Sequence, residues 1–172
     1  LILGDKHTAA DKDFLIREGV SHVLNMTPSR TVDAVSGVAN YFEKDKRFTY
    51  MRCAVFDNRS TDMSPYFLPC LQFIEGGRHH GAVLVHCVQG VSRSVTIVVA
   101  WLVKHRRMQV AEALELVVSK RPEASPKSNF LKQLKVFARR QRAALEPRRQ
   151  PLGPSKPGST PPQGPTLPPS AA

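Results

Sequence analysis

This chain has few of the features expected of an extracellular or membrane-spanning protein. Its 172 residues include only three cysteines, an odd number without regular spacing, which argues against a disulfide framework and for a reducing environment. The longest apolar run, from Val95 to Val103, contains Thr96 and falls far short of the roughly 20 residues that a membrane-spanning helix needs. No charged and then apolar leader opens the chain. The sequence therefore predicts an intracellular protein, in the cytoplasm, the nucleus or both, with no membrane span.

Acidic residues are also scarce. The chain has 14 Asp and Glu against 25 Lys and Arg, which gives a formal net charge of +11. Such an excess favours anionic partners, although a solvated basic surface explains it equally well, because net charge governs association rather than fold. We expect a monomer, and we do not expect a nucleic-acid partner.

Apolar strands and amphipathic helices alternate along most of the chain. Strands are predicted at "LILGD", "SHVLNM" and "FTYMRCAVF". Between the first two, the segment "TAADKDFLIREG" predicts a helix that begins near Thr8 and Asp11 and ends at Gly19. The next helix has Ser64 as its cap and the Gly76-Gly77 pair as its end, and Pro69 predicts that it begins late or bends.

The helices that follow define the fold class. The segment from Ser94 to about Arg107 is apolar on every side, which is typical of a central helix surrounded by other elements. Two further helices are amphipathic, with apolar residues repeating from Val110 and from Phe130. The order predicts one α/β domain over residues 1–145, with a central, mostly parallel twisted sheet flanked by helices.

The last residues, 146–172, differ in composition from the rest. They are dense in proline and lack periodic apolar residues, so a disordered tail is predicted. Within it, Arg148–Pro154 ("RRQPLGP") places a basic residue before a PxxP pattern, which polyproline-binding domains recognise. Such short patterns are common by chance, so a plain disordered tail without a partner is the favoured interpretation and the docking site is the alternative.

One stretch, "VLVHCVQGVSRSVTIVV" from Val83 to Val99, places a cysteine and an arginine where a strand passes into a helix. Thiols at helix N-termini beside cations have lowered pKa values, which favours Cys87 as a nucleophile. Gly90 lets the backbone turn so that successive N–H groups form an anion nest. Arg93 can grip two phosphate oxygens through its planar fork, and Ser94 can donate its hydroxyl to the sulfur. The stretch predicts a phosphate-binding loop with a nucleophile at its floor.

A phosphoester also needs a proton donor, because its leaving oxygen departs poorly without a proton. Asp57 directly follows the "FTYMRCAVF" strand and is our first choice, with Asp62 as the alternative. His86 is expected to orient the nucleophile by hydrogen bonding. No second Cys or His lies at ligand spacing near His86 and Cys87, so no metal site is predicted.

The segment "HCVQGVSRS" resembles the signature of the cysteine-dependent protein phosphatases. The resemblance to the dual-specificity branch covers roughly residues 1–140. It rests on the 30-residue spacing from Asp57 to Cys87 and on the segments "AWLVKHRRMQVAEALELVVSKRP" and "NFLKQL". The resemblance implies a cysteinyl-phosphate mechanism without a metal or other cofactor, acting on phosphorylated proteins. It implies that Cys87 is the nucleophile, Arg93 the phosphate-binding arginine, Asp57 the general acid and Ser94 the aid to thiolate departure. The implied phosphate loop consists of Val88, Gln89, Gly90, Val91, Ser92 and Arg93.

Three positions depart from this family's pattern. Gln89 stands where many relatives have alanine, and Arg107 replaces a glycine common at the end of the central helix. The usual Pro-Asn-x-Gly-Phe appears as Pro126-Lys127-Ser128-Asn129-Phe130, so we expect Asn129, which tolerates the left-handed conformation, to build this turn. Arg107 is expected to add surface charge only.

Two other functions remain as alternatives to a protein phosphatase. A phosphatase of phosphoinositides or RNA 5′-phosphates is disfavoured because lipid-directed relatives resemble one another in carrying lysines inside the loop, where Val88, Gln89 and Val91 are uncharged. A phosphoprotein-binding scaffold with little catalysis is disfavoured by the intact catalytic set. Cys53 and Cys70 are expected to be core residues, since their spacing does not support a resolving role for an oxidised nucleophile.

Overall fold

The computed structural model describes residues 1–145, which contain four strands and six helices. In chain order these are β1 (Ile2–Gly4), α1 (Lys6–Ala10), α2 (Lys12–Arg17), β2 (Val20–Asn25), β3 (Thr49–Arg52), α3 (Ser64–Arg78), β4 (Ala82–His86), α4 (Arg93–His105), α5 (Val110–Lys120) and α6 (Ser128–Leu145). None of these helices combines the length and apolarity needed to cross a membrane. The predicted tail and its Arg148–Pro154 segment lie outside the described residues.

The sheet has the strand order β1-β4-β2-β3, and each neighbouring pair is parallel. The register aligns the last residues of the strands: Gly4 and Asn25 both pair with His86, and Arg52 pairs with Asn25. All four strands therefore end at the same edge of the sheet, where ligands bind in open parallel sheets. The predicted α/β class with a parallel sheet is confirmed.

Helices cover both faces of the sheet. Leu84 of β4 packs with Leu15 of α2 on one face, whereas Val83 and Val85 pack on the other face in the larger core with α3, α4, α5 and α6. In α4, nearly every residue from Arg93 to Val103 is buried. The prediction of a central helix is thus confirmed, and its apolar side chains contribute roughly 1.5–3 kcal/mol each through burial.

The helix boundaries differ from prediction where side chains make unforeseen contacts. The helix predicted after β1 is two short helices, whose caps are Asp5 and Asp11. Thr8 lies inside α1 and donates its hydroxyl to Asp5 at 3.0 Å, so its predicted place at a helix start is wrong. Gly19 follows with a φ of 65° and stops the segment as predicted.

The predicted end of α3 at Gly76-Gly77 is wrong, because the helix continues to Arg78. It contains Pro69 and begins at Ser64 with Met63 as its N-cap, so it does not begin late, and the prediction of Ser64 as its cap is wrong. A Cβ on Gly77 would lie 2.7 Å from the Cγ of His22 on β2. Glycine is therefore required here by the close approach of α3 to the sheet, and not by chain reversal.

The backbone also corrects the expected turn before α6. Asn129 is helical and lies within α6, so the expectation that it takes the left-handed conformation is wrong. Among residues 1–145, Arg107 is the one non-glycine residue with positive φ, at 56°. This explains why glycine suits that position: a left-handed conformation costs an L-residue roughly 1–2 kcal/mol.

Replacing Arg107 with glycine should therefore stabilise the domain. The relief of the left-handed conformation exceeds the roughly 0.4–1 kcal/mol lost through the added freedom of the unfolded chain. The net gain should be up to about 1 kcal/mol, which raises Tm by about 2–4 °C in scanning calorimetry. Arg106→Gly, at a neighbouring residue with a φ of −107°, is the control and should lower Tm. A Tm of Arg107→Gly at or below that of the wild type would contradict this account.

Candidate active site

The carbonyl oxygens of the loop between β4 and α4 accept hydrogen bonds from residues that lie outside the loop. The Lys6 amide donates to Val88 O at 3.0 Å, and the Ser125 amide donates to Val91 O at 2.8 Å. Arg121 donates from Nη2 to Gln89 O at 2.8 Å and from Nε to Gly90 O at 2.9 Å. In a trans peptide unit the C=O and the next N–H point in opposite directions. The amides of residues 89–92 therefore face the inside of the loop, as an anion nest requires.

Cys87 lies at the floor of this nest and is only 2% exposed. Its Sγ accepts a hydrogen bond from the Gly90 amide at 3.3 Å and one from the Ser94 hydroxyl at 3.2 Å. Burial alone raises the pKa of the Cys87 thiol, but the Ser94 hydroxyl and amide, Arg93 and the Gly90 amide stabilise the thiolate. Together they bring the pKa of Cys87 below its ordinary value, which increases the fraction of nucleophilic thiolate.

Arg93 is the first residue of α4, and 2% of its side chain is exposed. Its Nη1 donates to Val55 O at 2.9 Å, which ties the guanidinium to the segment after β3. Its Nε lies 3.7 Å from Asp57 Oδ2 and has no hydrogen-bonding partner among residues 1–145. A buried donor without a partner is costly, so this edge of the guanidinium is suited to an anion in the nest.

Asp57 reaches the same site from the loop after β3, which we call the acid loop (residues 57–63). Its carboxylate lies between two cations, with Oδ2 near Arg93 and Oδ1 3.3 Å from Lys127 Nζ. Asp62 is placed differently: its Oδ1 accepts from the Ser64 amide at 2.8 Å at the start of α3. That hydrogen bond holds the pKa of Asp62 below its usual value and ties the carboxylate to the first residue of α3.

His86, the last residue of β4, is fully buried. Burial lowers the pKa of His86 to about 4, so the ring is neutral. Its Nδ1 lies 3.3 Å from Cys87 O, and because a carbonyl only accepts, this nitrogen donates the proton. The ring therefore contacts the backbone of Cys87 rather than the sulfur.

Three contributors to the site were missed by sequence reasoning. Arg121 anchors two loop carbonyls, and Lys127 contacts Asp57. Arg52, at the end of β3, donates from Nη1 to Thr27 O, Pro28 O and Val38 O and so holds the loop that follows β2 at the same sheet edge. Two features of the sequence could have pointed to Arg121 and Lys127: the basic segment "SKRP" that contains Arg121, and the lysine that follows Pro126 where the family pattern has asparagine. Among residues 1–145, no three His, Cys, Asp or Glu side chains are grouped to hold a metal ion.

A buried cysteine at the floor of an amide-lined loop, followed by an arginine at the start of a helix, defines the class of cysteine-dependent phosphatases. The family model "Dual specificity phosphatase, catalytic domain" matches residues 1–140. The chain therefore belongs to the dual specificity phosphatase family.

Known relatives agree with this assignment. The chain is 36% identical over 140 residues to human dual specificity protein phosphatase 9, covering 81% of this chain and 34% of that protein. It is 39% identical over 138 residues to dual specificity protein phosphatase 1B of Arabidopsis thaliana, covering 80% and 77%. The crystal structure of human DUSP28 superposes with a TM-score of 0.74 at 28% identity, covering 83% and 94%. The chain thus spans about a third of the human relative and most of the plant one.

Removing the Ser94 hydroxyl should shift the ionisation of Cys87. Ser94→Ala leaves the loop amides in place but removes one hydrogen bond that lowers the pKa of the Cys87 thiol. Thiolate should then form at higher pH, so alkylation of Cys87 by iodoacetamide should slow severalfold at neutral pH and recover at alkaline pH. Mass spectrometry of the Cys87 peptide across a pH series measures this. An unshifted profile would show that the hydroxyl does not stabilise the thiolate.

Proposed function

We propose that this protein is a dual-specificity protein phosphatase, which hydrolyses phosphotyrosine and phosphoserine or phosphothreonine in protein substrates. The observation that carries the proposal is the position of Cys87 Sγ, hydrogen-bonded within a loop whose carbonyls are anchored outward. Family membership supports the same reaction class. Phosphate is a tetrahedral anion, and an amide-lined nest with an arginine edge complements its oxygens.

In the first step, the Cys87 thiolate attacks phosphorus and forms the S–P bond. The bond from phosphorus to the leaving oxygen breaks, and that oxygen takes a proton from Asp57. Arg93 grips two phosphate oxygens with the donors that do not bind Val55 O. The products are a cysteinyl phosphate and the free hydroxyl of the substrate residue.

In the second step, water attacks the phosphorus of this intermediate. Asp57, now a carboxylate, accepts the proton of the attacking water, and the S–P bond breaks to give inorganic phosphate and the Cys87 thiolate. The Ser94 hydroxyl, 3.2 Å from Sγ, stabilises the departing sulfur. Both steps use side chains of this chain and water.

The rim of the loop favours protein substrates over phosphoinositides. The loop side chains Val88, Gln89 and Val91 carry no charge, and Gln89 is exposed. They add no cations for the further phosphates of an inositol ring, so recognition rests on one phosphate. An intracellular location follows from the proposal because Cys87 acts only when reduced. We also propose that the protein is a monomer. The segment Arg148–Pro154 is proposed as a binding site for a polyproline-binding domain.

Replacing Cys87 with serine should abolish turnover and preserve binding. Cys87→Ser removes the nucleophile but keeps the amide nest and Arg93, so a phosphotyrosine peptide should still bind. Hydrolysis of an aryl phosphate and peptide binding by fluorescence polarisation separate the two effects. Turnover by Cys87→Ser above the level of a mock preparation would overturn the covalent mechanism.

Replacing Asp57 with asparagine should give a defect that depends on the leaving group. Hydrolysis of phosphotyrosine or phosphothreonine peptides should slow by about 10²–10⁴-fold, as is typical of a lost general acid. An activated aryl phosphate, whose leaving group departs as a stable anion, should lose far less. The substitution retains the size of the side chain, so folding should be preserved, and kcat/KM on the two substrate classes measures the difference.

Asp62→Asn is the matched control for this variant. Asp62 accepts one exposed hydrogen bond from the first residue of α3, so its loss should lower Tm by a few degrees at most and leave both activities nearly unchanged. If Asp62→Asn gave the leaving-group-dependent defect and Asp57→Asn did not, the assignment of the acid would be reversed.

A further inference from the structure

Lys127 bridges the two loops that form the site. Its backbone N–H donates to Ser92 Oγ of the phosphate loop at 3.2 Å. Its Nζ donates to the carbonyl oxygen of Asp57 and lies 3.3 Å from Asp57 Oδ1. The side chain is 39% exposed, so part of it is shielded from solvent. One residue immediately before α6 thus contacts both the nest and the main chain and carboxylate of Asp57.

The carboxylate of Asp57 depends on cations for its orientation. Oδ1 is buried and has no hydrogen bond within residues 1–145, and the ion pair with Lys127 is its polar contact there. Oδ2 lies 3.7 Å from Arg93 Nε. When Arg93 turns its free donors to a phosphate, its hold on Asp57 weakens. Among residues 1–145, Lys127 Nζ is then the donor that remains beside Oδ1, which can accept from it both when Asp57 is protonated on Oδ2 for the first step and when it is ionised for the second.

Neighbouring side chains of α6 do not duplicate this contact. Asn129 Nδ2 donates to Asn58 O and Thr61 O, at 3.2 Å each. Gln133 donates to Thr61 O at 3.0 Å and accepts from the Met63 amide at 2.7 Å. These amides fasten the rest of the acid loop to α6, whereas Lys127 reaches Asp57 itself.

We propose that Lys127 is a positioning residue for the general acid, holding the Asp57 carboxyl where it can protonate the leaving oxygen. This inference rests on the proposed role of Asp57. A positioned acid matters most for basic leaving groups. Lys127 therefore acts on substrate preference as well as on rate.

The test compares Lys127→Met, which keeps the stem and removes the cation, with Lys127→Arg, which keeps the charge. For a phosphotyrosine peptide, kcat of Lys127→Met should fall by about tenfold or more, as expected for a lost hydrogen bond to a charged group. For an activated aryl phosphate it should fall by less than about threefold. Lys127→Arg should recover most of the peptide activity. Lys132→Met, on an exposed lysine of α6 that has no hydrogen bond or ion pair with residues 57–63, is the control and should behave as wild type.

A double-mutant cycle then separates positioning from substrate binding. In an Asp57→Asn background, Lys127→Met should have no further effect, because the group that Lys127 orients is already gone. A loss that persists in that background, or that is equal for both substrates, would overturn the inference while leaving Asp57 as the acid. Absence of any leaving-group dependence in Asp57→Asn alone would overturn the role of Asp57, and this inference with it. Circular dichroism and Tm of each variant verify that it is folded.

Discussion

The outward anchoring of the phosphate-loop carbonyls is the constraint on which the rest of the site depends. Arg121 supplies two of the anchors, and its guanidinium also lies 3.6 Å from Asp5, the residue that caps α1. Because each carbonyl held outside turns the next amide inward, the nest exists before any anion arrives. A Cβ on Gly90 would lie 2.7 Å from Gly4 O and 2.8 Å from Arg121 Nη2, so the loop also needs glycine for this packing.

This preorganisation explains how a buried thiol can be acidic. Burial in a protein interior disfavours the charged form of Cys87, and fixed hydrogen-bond donors together with the positive charge of Arg93 reverse that effect. Gly90 and Ser94 supply donors at 3.3 and 3.2 Å, and both are held by the loop and by the first turn of α4. A solvated loop would have to reorganise before it could do the same, whereas here the donors are already in place.

The sequence indicated the features whose residues are close together along the chain. It did not indicate those that depend on contacts between distant segments. The Cys87–Ser94 loop is contiguous, so its residue types and order indicated the chemistry. The preference for Asp57 over Asp62 rested on a strand predicted to run to Phe56, whereas β3 ends at Arg52. The structure nevertheless brings Asp57 beside Arg93, while Asp62 bonds to the first residue of α3. Arg121 and Lys127 act through contacts that form only when α5 and α6 pack beside the sheet edge. The same holds for Gly77 in α3, where packing against β2 overrides the usual role of glycine as a helix end.

Arg93 links the nest to the acid loop, and its geometry lets it serve both at once. The guanidinium donates to Val55 O through Nη1, which fixes the segment that leads to Asp57. A planar guanidinium has five N–H donors, so this bond leaves Nε and Nη2 for a phosphate. Within residues 1–145 Nε has no hydrogen-bonding partner, although the side chain that carries it is fixed. Binding of an anion can satisfy Nε without releasing Val55, so the acid loop keeps its attachment to the phosphate loop while the nest is filled.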